Sequence, residues 1–96
     1  GPTLMFCGHI DTVGVEGMRA PFTPDVRDGR MYGRGSQDMK GGVAAMMEAA
    51  RRVKDRWTTG RLIIACVCDE EYESIGAQAL VTRFSADAAV VSEPTE

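Results

Sequence analysis

Arg61-Leu-Ile-Ile-Ala-Cys-Val-Cys68 is a near-continuous apolar run that starts immediately after Gly60. Such a run, without polar alternation, marks a strand covered on both faces, as parallel strands are. Upstream of it, apolar residues recur from Met39 at Val43, Met46, Met47, Ala50, Val53 and Trp57, while Glu48, Arg51, Arg52 and Asp55 take the other face. That spacing predicts an amphipathic helix, which Gly60 ends. Further upstream, residues 3–7 read as a buried strand and residues 8–30 as a loop region. Pro21, Pro24 and Gly29 break that loop, with a turn at Asp28-Gly29. Downstream, residues 74–83 read as a second helix with Ile75, Ala79, Leu80 and Phe84 turned inward, and residues 88–91 as a third buried strand. Strand, helix, strand, helix, strand predicts an α/β architecture: a mostly parallel sheet with flanking helices. No internal repeat interrupts it, and residues 1–96 read as part of one domain.

Composition narrows the setting. Apolar residues make up 44% of the 96 and charged residues 26%, which is soluble globular composition. The net charge of −3 argues against a nucleic-acid partner, which calls for a basic face. No apolar run approaches the roughly 18 residues of a membrane span. Without a basic-then-apolar leader, the expected location is cytoplasmic. The three cysteines fit that setting as buried, reduced thiols: Cys66 and Cys68 would share one face of a strand and are poorly placed to bridge. Cys-x-Cys also lacks the second Cys or His pair of a zinc site. The chain opens Gly1-Pro2, with strand-like residues close to both ends, and reads as an internal piece of a larger protein.

The acids are not scattered. His9 and Asp11 follow the first strand, Asp38 precedes the long helix, Asp69, Glu70 and Glu71 follow the second strand, and Glu93 follows the third. In open α/β sheets, residues just past the carboxyl ends of parallel strands converge on one crevice. Crowded carboxylates repel, and protons or a metal ion offset the repulsion. Imidazole with carboxylates suits zinc and its first-row neighbours, and an oxygen-rich set can hold two ions that share a ligand.

Each residue also has an ordinary explanation. His9 fits a loop histidine, Asp38 an N-cap, Asp-Glu-Glu a solvated acidic turn, and Glu93 a loop acid before Pro94. Gly41-Gly42 in a helix's first turn costs helix propensity, so close backbone approach is the better explanation. Joint placement at consecutive strand ends favours the site. Other chemistries fail on spelling. The third glycine of a dinucleotide fingerprint beginning at Gly33 would fall on Asp38, and Lys40 lacks the flanking residues of a phosphate loop. No Gly-x-Ser-x-Gly elbow is present, and no nucleophile accompanies the only histidine, His9.

Four segments together resemble the M20 family of metallopeptidases and deacylases: Gly8-His-Ile-Asp-Thr-Val13, Gly33-Arg-Gly-Ser-Gln-Asp-Met-Lys-Gly-Gly42, Asp69-Glu-Glu71 and Ser92-Glu-Pro-Thr95. Their order is that of the family, and they run through essentially the whole chain. The resemblance implies a zinc-exopeptidase-like catalytic domain, carried here in part, and hydrolysis of an amide bond in an N-acyl amino acid or short peptide. By resemblance, His9 binds the first ion and Asp11 orients its imidazole. Asp38 bridges both ions, Glu93 completes the first site and Glu71 holds the second. Glu70 is the general base acting on a metal-bridging water. Two Zn2+ ions are implied in the parent enzyme, with Co2+ or Mn2+ as substitutes.

The family also has a second metal-binding histidine near its C-terminus and a lid or dimerisation domain inserted after the third-strand ligand. This sequence contains neither. The expectation is a fragment inactive by itself, from a parent that pairs as a homodimer through the missing domain. Glu93 rather than Asp resembles the deacylase and carboxypeptidase branches. The rival reading is a non-catalytic α/β module of the same ancestry that binds partners. Glu70 weighs against it, since a binding module gains nothing from a general base.

Overall fold

The computed structural model describes residues 1–95. Its elements are β1 (Thr3–His9), β2 (Asp25–Arg27), β3 (Arg30–Tyr32), α1 (Gly42–Val53), β4 (Arg61–Val67), α2 (Ile75–Arg83) and β5 (Ala88–Val91). β1, β4 and β5 form one parallel sheet in the order β4-β1-β5. The first strand of the sequence is therefore the central one. Thr3 stands opposite Arg61 and His9 opposite Val67, while Leu4 to Cys7 run against Ala88 to Val91 on the other side. The architecture is the expected one, α/β with a parallel sheet and flanking helices.

The core lies between β1 and α1. Met39, Val43 and Met46 are buried together, with Phe6 packed against them. Gly8 makes this approach possible: a Cβ there would sit 2.8 Å from the Met39 methyl and 3.0 Å from Val43. Gly42 does the same against the segment after β5, since a Cβ there would run into the Ser92 backbone carbonyl and fall 2.8 Å from its hydroxyl. Close backbone approach is thus the reason for glycine at position 42. α1 begins later than the apolar stripe suggests. Residues 36–41 form a kinked turn of wider helical pitch, with Asp38 and Met39 in non-helical conformation.

Several expectations are corrected. β4 is not covered on both faces: Ala65 is its one buried residue, and Ile64 and Cys66 are exposed. β5, an edge strand with one neighbour among the described residues, is exposed along its whole length. No residue of α2 is buried, and Ile75, Ala79 and Phe84 are exposed rather than turned into a core. A groove of about 750 Å³, lined by Ile63, Val67, Leu80 and Phe84 among others, runs between α2 and β4. The apolar content of these elements matches covered strands and helices, but the described residues supply only part of the cover. Cys7 is half-buried, and Cys66 and Cys68 are exposed, so the thiols are free but not all buried. The region read as loop contains a short antiparallel hairpin, β2 with β3. Its turn is at the expected Asp28-Gly29, both at positive φ (52° and 74°), the geometry of tight hairpin turns.

Candidate metal centre

The carboxyl ends of the three parallel strands deliver the site. β1 ends on His9, whose side chain is 1% exposed, and the chain then turns through Asp11. The loop after β4 carries Asp69, Glu70 and Glu71, and the segment after β5 carries Glu93. Asp38 comes from the kinked turn ahead of α1. No side chain caps α1, whose N-cap is Gly41, so Asp38 is not occupied as the helix cap.

Apart from Asp69, these acids meet at one imidazole. His9 Nε2 lies 3.0 Å from Asp38 Oδ1, 3.3 Å from Glu93 Oε1, 3.5 Å from Glu70 Oε2 and 3.8 Å from Glu71 Oε1. On the other side of the ring, Nδ1 is 3.0 Å from the Asp11 carbonyl oxygen and 3.5 Å from its carboxylate. A carbonyl can only accept, so this contact fixes the proton on Nδ1 and leaves Nε2 facing the acids. The His9 backbone N–H points at the Met39 sulfur, 3.4 Å away, which ties the strand end to the core beneath it. Asp11 also holds the acidic loop. Its Oδ1 accepts the Glu70 N–H at 3.1 Å and its Oδ2 the Glu71 N–H at 3.0 Å. Asp69 takes a positive φ of 65°, and its carbonyl accepts from Tyr72 and Ser74, so the loop turns back sharply and presents Glu70 and Glu71 together.

Proton affinities follow from this crowding. Burial works against a charged His9, but the Asp11 carbonyl, Asp38, Glu93 and Glu70 outweigh it and hold the imidazole above its ordinary value. Glu71 is pushed up by burial and by its neighbours Asp38 and Glu70. Burial likewise raises Glu93; His9 opposes the rise, and Asp38 and Glu70 add to it. Asp11 is the exception: burial disfavours its charge, yet the N–H groups of Glu71 and Glu70 keep it below the usual carboxylate range. One acid is thus satisfied by protein donors, and two are held at a cost that a cation would remove. The ligand atoms of His9, Asp38 and Glu93 lie within 4.8 Å of one another, and those of His9, Glu70 and Glu71 do likewise. An imidazole with this set of oxygens fits a divalent cation of the zinc group.

All six residues singled out from the sequence, His9, Asp11, Asp38, Glu70, Glu71 and Glu93, are brought together. Glu70 and Glu71 reach the same imidazole. Two contributors were not singled out. Met39 was read only as the start of a helix stripe, yet it supports His9 from below. Ser92 carries a buried hydroxyl with no partner among the described residues, packed against Gly42. Its position directly before Glu93 is the only signal the sequence offers for it.

Residues 5–96 match the model of peptidase family M20/M25/M40. The chain belongs to that family. Among curated M20-type relatives, it is 40% identical to the succinyl-diaminopimelate desuccinylase of Sulfurovum sp. (strain NBC37-1), covering 99% of this chain and 28% of the relative. It is 38% identical to the enzyme of the same name from Parvibaculum lavamentivorans, covering 98% of this chain and 26% of the relative. A third, from Buchnera aphidicola, is 36% identical over 99% of this chain. The chain therefore spans little more than a quarter of the length of these relatives. No helix among the described residues is long and apolar enough to cross a membrane.

Proposed function

We propose that the protein carrying this chain is a deacylase that hydrolyses the amide bond of a small N-acyl amino acid, with an N-succinyl amino acid favoured by the names of its relatives. The observation that carries this reading is the single buried imidazole of His9 facing Asp38, Glu70, Glu71 and Glu93 within 3.8 Å. In this reading His9, Asp38 and Glu93 would hold one zinc ion, and Asp38 and Glu71 would hold a second, with cobalt or manganese as substitutes. When bound, such ions supply Lewis acidity that polarises the amide carbonyl and makes water a stronger acid.

The chain's own residues do the rest. Asp11 fixes the His9 tautomer through its carbonyl, so that Nε2 is left as the ligand atom. Its carboxylate holds the backbone of Glu70 and Glu71 in register with His9. Glu70 accepts the proton of the attacking water as the C–O bond forms and delivers it to the departing amine nitrogen as the C–N bond breaks. No side-chain nucleophile takes part, so no acyl-enzyme accumulates. A cytoplasmic setting accords with the free thiols.

The test uses the full-length protein loaded with zinc. Hydrolysis of an N-succinyl amino acid should proceed in the wild type and be abolished by His9→Ala. Full activity of that variant would sink the reading, and metal binding without turnover of any acyl amino acid would favour a binding module instead.

A further inference from the structure

Beside the metal centre lies a second cavity, of about 600 Å³, lined by Met18, Arg30, Tyr32, Arg34, Gln37 and Asp38, among others. Asp38 belongs to both. Asp38 is the one lining residue that the metal centre uses, and Arg34 lies four residues before it in the same loop. Its backbone is anchored: the N–H donates to the Pro21 carbonyl at 2.8 Å, and the turn that follows is closed by Ser36 N–H on Gly33 O at 3.2 Å. Gly35, at φ 82°, packs against Thr12, just past the His9 loop. The Arg34 side chain is partly buried, and its Nε is sequestered with no hydrogen-bond partner.

Among the described residues Arg34 is the one arginine that is not exposed; of the others, three are satisfied by acids and the rest stand in solvent. Arg27 pairs with Asp25 and stacks on Tyr32, and Arg51 and Arg52 both pair with Glu48. Among the described residues no carboxylate lies within ion-pair distance of Arg34, nor of its cavity neighbour Arg30. A partly desolvated guanidinium without an acid, lining a cavity that also reaches Asp38, is a donor set awaiting an anion. The planar fork matches a carboxylate in two-point contact. It would also offset the repulsion that Asp38, Glu70, Glu71 and Glu93 present to any anionic substrate.

We propose that Arg34 binds a carboxylate group of the substrate and so selects acyl amino acids with a free carboxylate over neutral amides. This deepens the deacylase reading and rests on it for the word substrate, but the anion site can be tested without turnover.

Succinate binding to the metal-free full-length protein, followed by calorimetry at low ionic strength, reads the cavity directly. Arg34→Gln should weaken binding about tenfold or more and Arg34→Lys less, whereas Arg27→Gln, on a paired arginine outside the cavity, should change it less than about twofold. No succinate binding by the wild type, or equal binding by Arg34→Gln, overturns the proposal whatever the enzyme hydrolyses. With the zinc-loaded enzyme, Arg34→Gln should lower kcat/KM for an N-succinyl amino acid about 10- to 100-fold, mainly through KM, and leave the corresponding carboxamide within about twofold. Equal losses on both substrates would make Arg34 a structural residue and overturn the proposal. Absence of turnover by the wild type, with succinate still bound through Arg34, would fail the deacylase reading and leave the anion site standing.

Discussion

Asp11 and Glu71 are joined across the edge of the sheet: the Asp11 carboxylate accepts the Glu71 backbone N–H at 3.0 Å, although sixty residues separate them. Its other oxygen takes the Glu70 N–H. Asp11→Ala leaves both donors without a partner and frees the acidic loop from His9. The expected loss of stability is about 1–3 kcal/mol, with Asp11→Asn losing less because one oxygen remains to accept. Urea unfolding measures the loss. An Asp11→Ala protein with the wild-type midpoint and wild-type kcat would refute the clamp.

Glu70 and Glu71 are adjacent, reach the same imidazole and are proposed to do different work. Glu70→Gln should lower kcat by about 10²–10⁴ with the metal content unchanged. Glu71→Gln should lower the metal content and the activity together. Metal analysis of the purified variants beside their kcat values separates the two, and release of metal by Glu70→Gln would reverse the assignment.

The metal-free protein should be most stable in mild acid. His9 is held above its ordinary 6.5, so its stabilising contribution is fully present below that value and disappears as pH rises through the folded value. Glu71 and Glu93 are held above 4.5, so the folded chain also binds more protons than the unfolded chain above that point, and stability again falls as pH rises. Asp11 has the opposite sign: its contribution is present above 3.8 and lost as pH falls through its depressed folded value. Thermal melts in chelator should therefore peak near about pH 4–5 and decline toward neutrality. Zinc should reverse the trend, since its ligands must shed protons to bind, and its stabilising shift should grow from pH 5 to 7.5. A zinc effect independent of pH would count against a carboxylate–imidazole set.

Much of this was legible in the sequence, for identifiable reasons. The apolar run at residues 61–68 and the stripe from Met39 set the strand–helix alternation, and the strand ends then fix where His9, Glu70, Glu71 and Glu93 must gather. The hairpin at residues 25–32 was not legible, because three-residue strands are too short for alternation to register and Pro21 and Pro24 argue for loop. Burial was overestimated for β5 and α2, since apolar content reports the cover an element is suited to rather than the cover present. The supporting role of Met39 could not be read, since its conformation breaks from the helix whose stripe it opens.

Gly42 is where α1 meets the segment that carries Glu93. A Cβ at this position would meet the Ser92 hydroxyl at 2.8 Å. Gly42→Ala should gain helix propensity yet destabilise the protein by about 1–3 kcal/mol as the two backbones separate. Because Glu93 follows Ser92, zinc affinity should fall as well. A variant more stable than the wild type, with unchanged zinc affinity, would show that the contact relaxes freely.

The central place of β1 has a consequence for how the molecule comes together in time. Leu4 pairs with Leu62 on one side and Ala88 on the other, so the opening strand of the chain waits for partners made long after it. Such distant pairings must be closed against chain entropy before they yield any stabilisation, which slows folding relative to a helical domain of this size. His9 and Glu93 are brought within reach only by the last of these closures. A partly folded chain therefore holds no complete ligand set, and capture of zinc should follow sheet assembly in a refolding experiment rather than guide it.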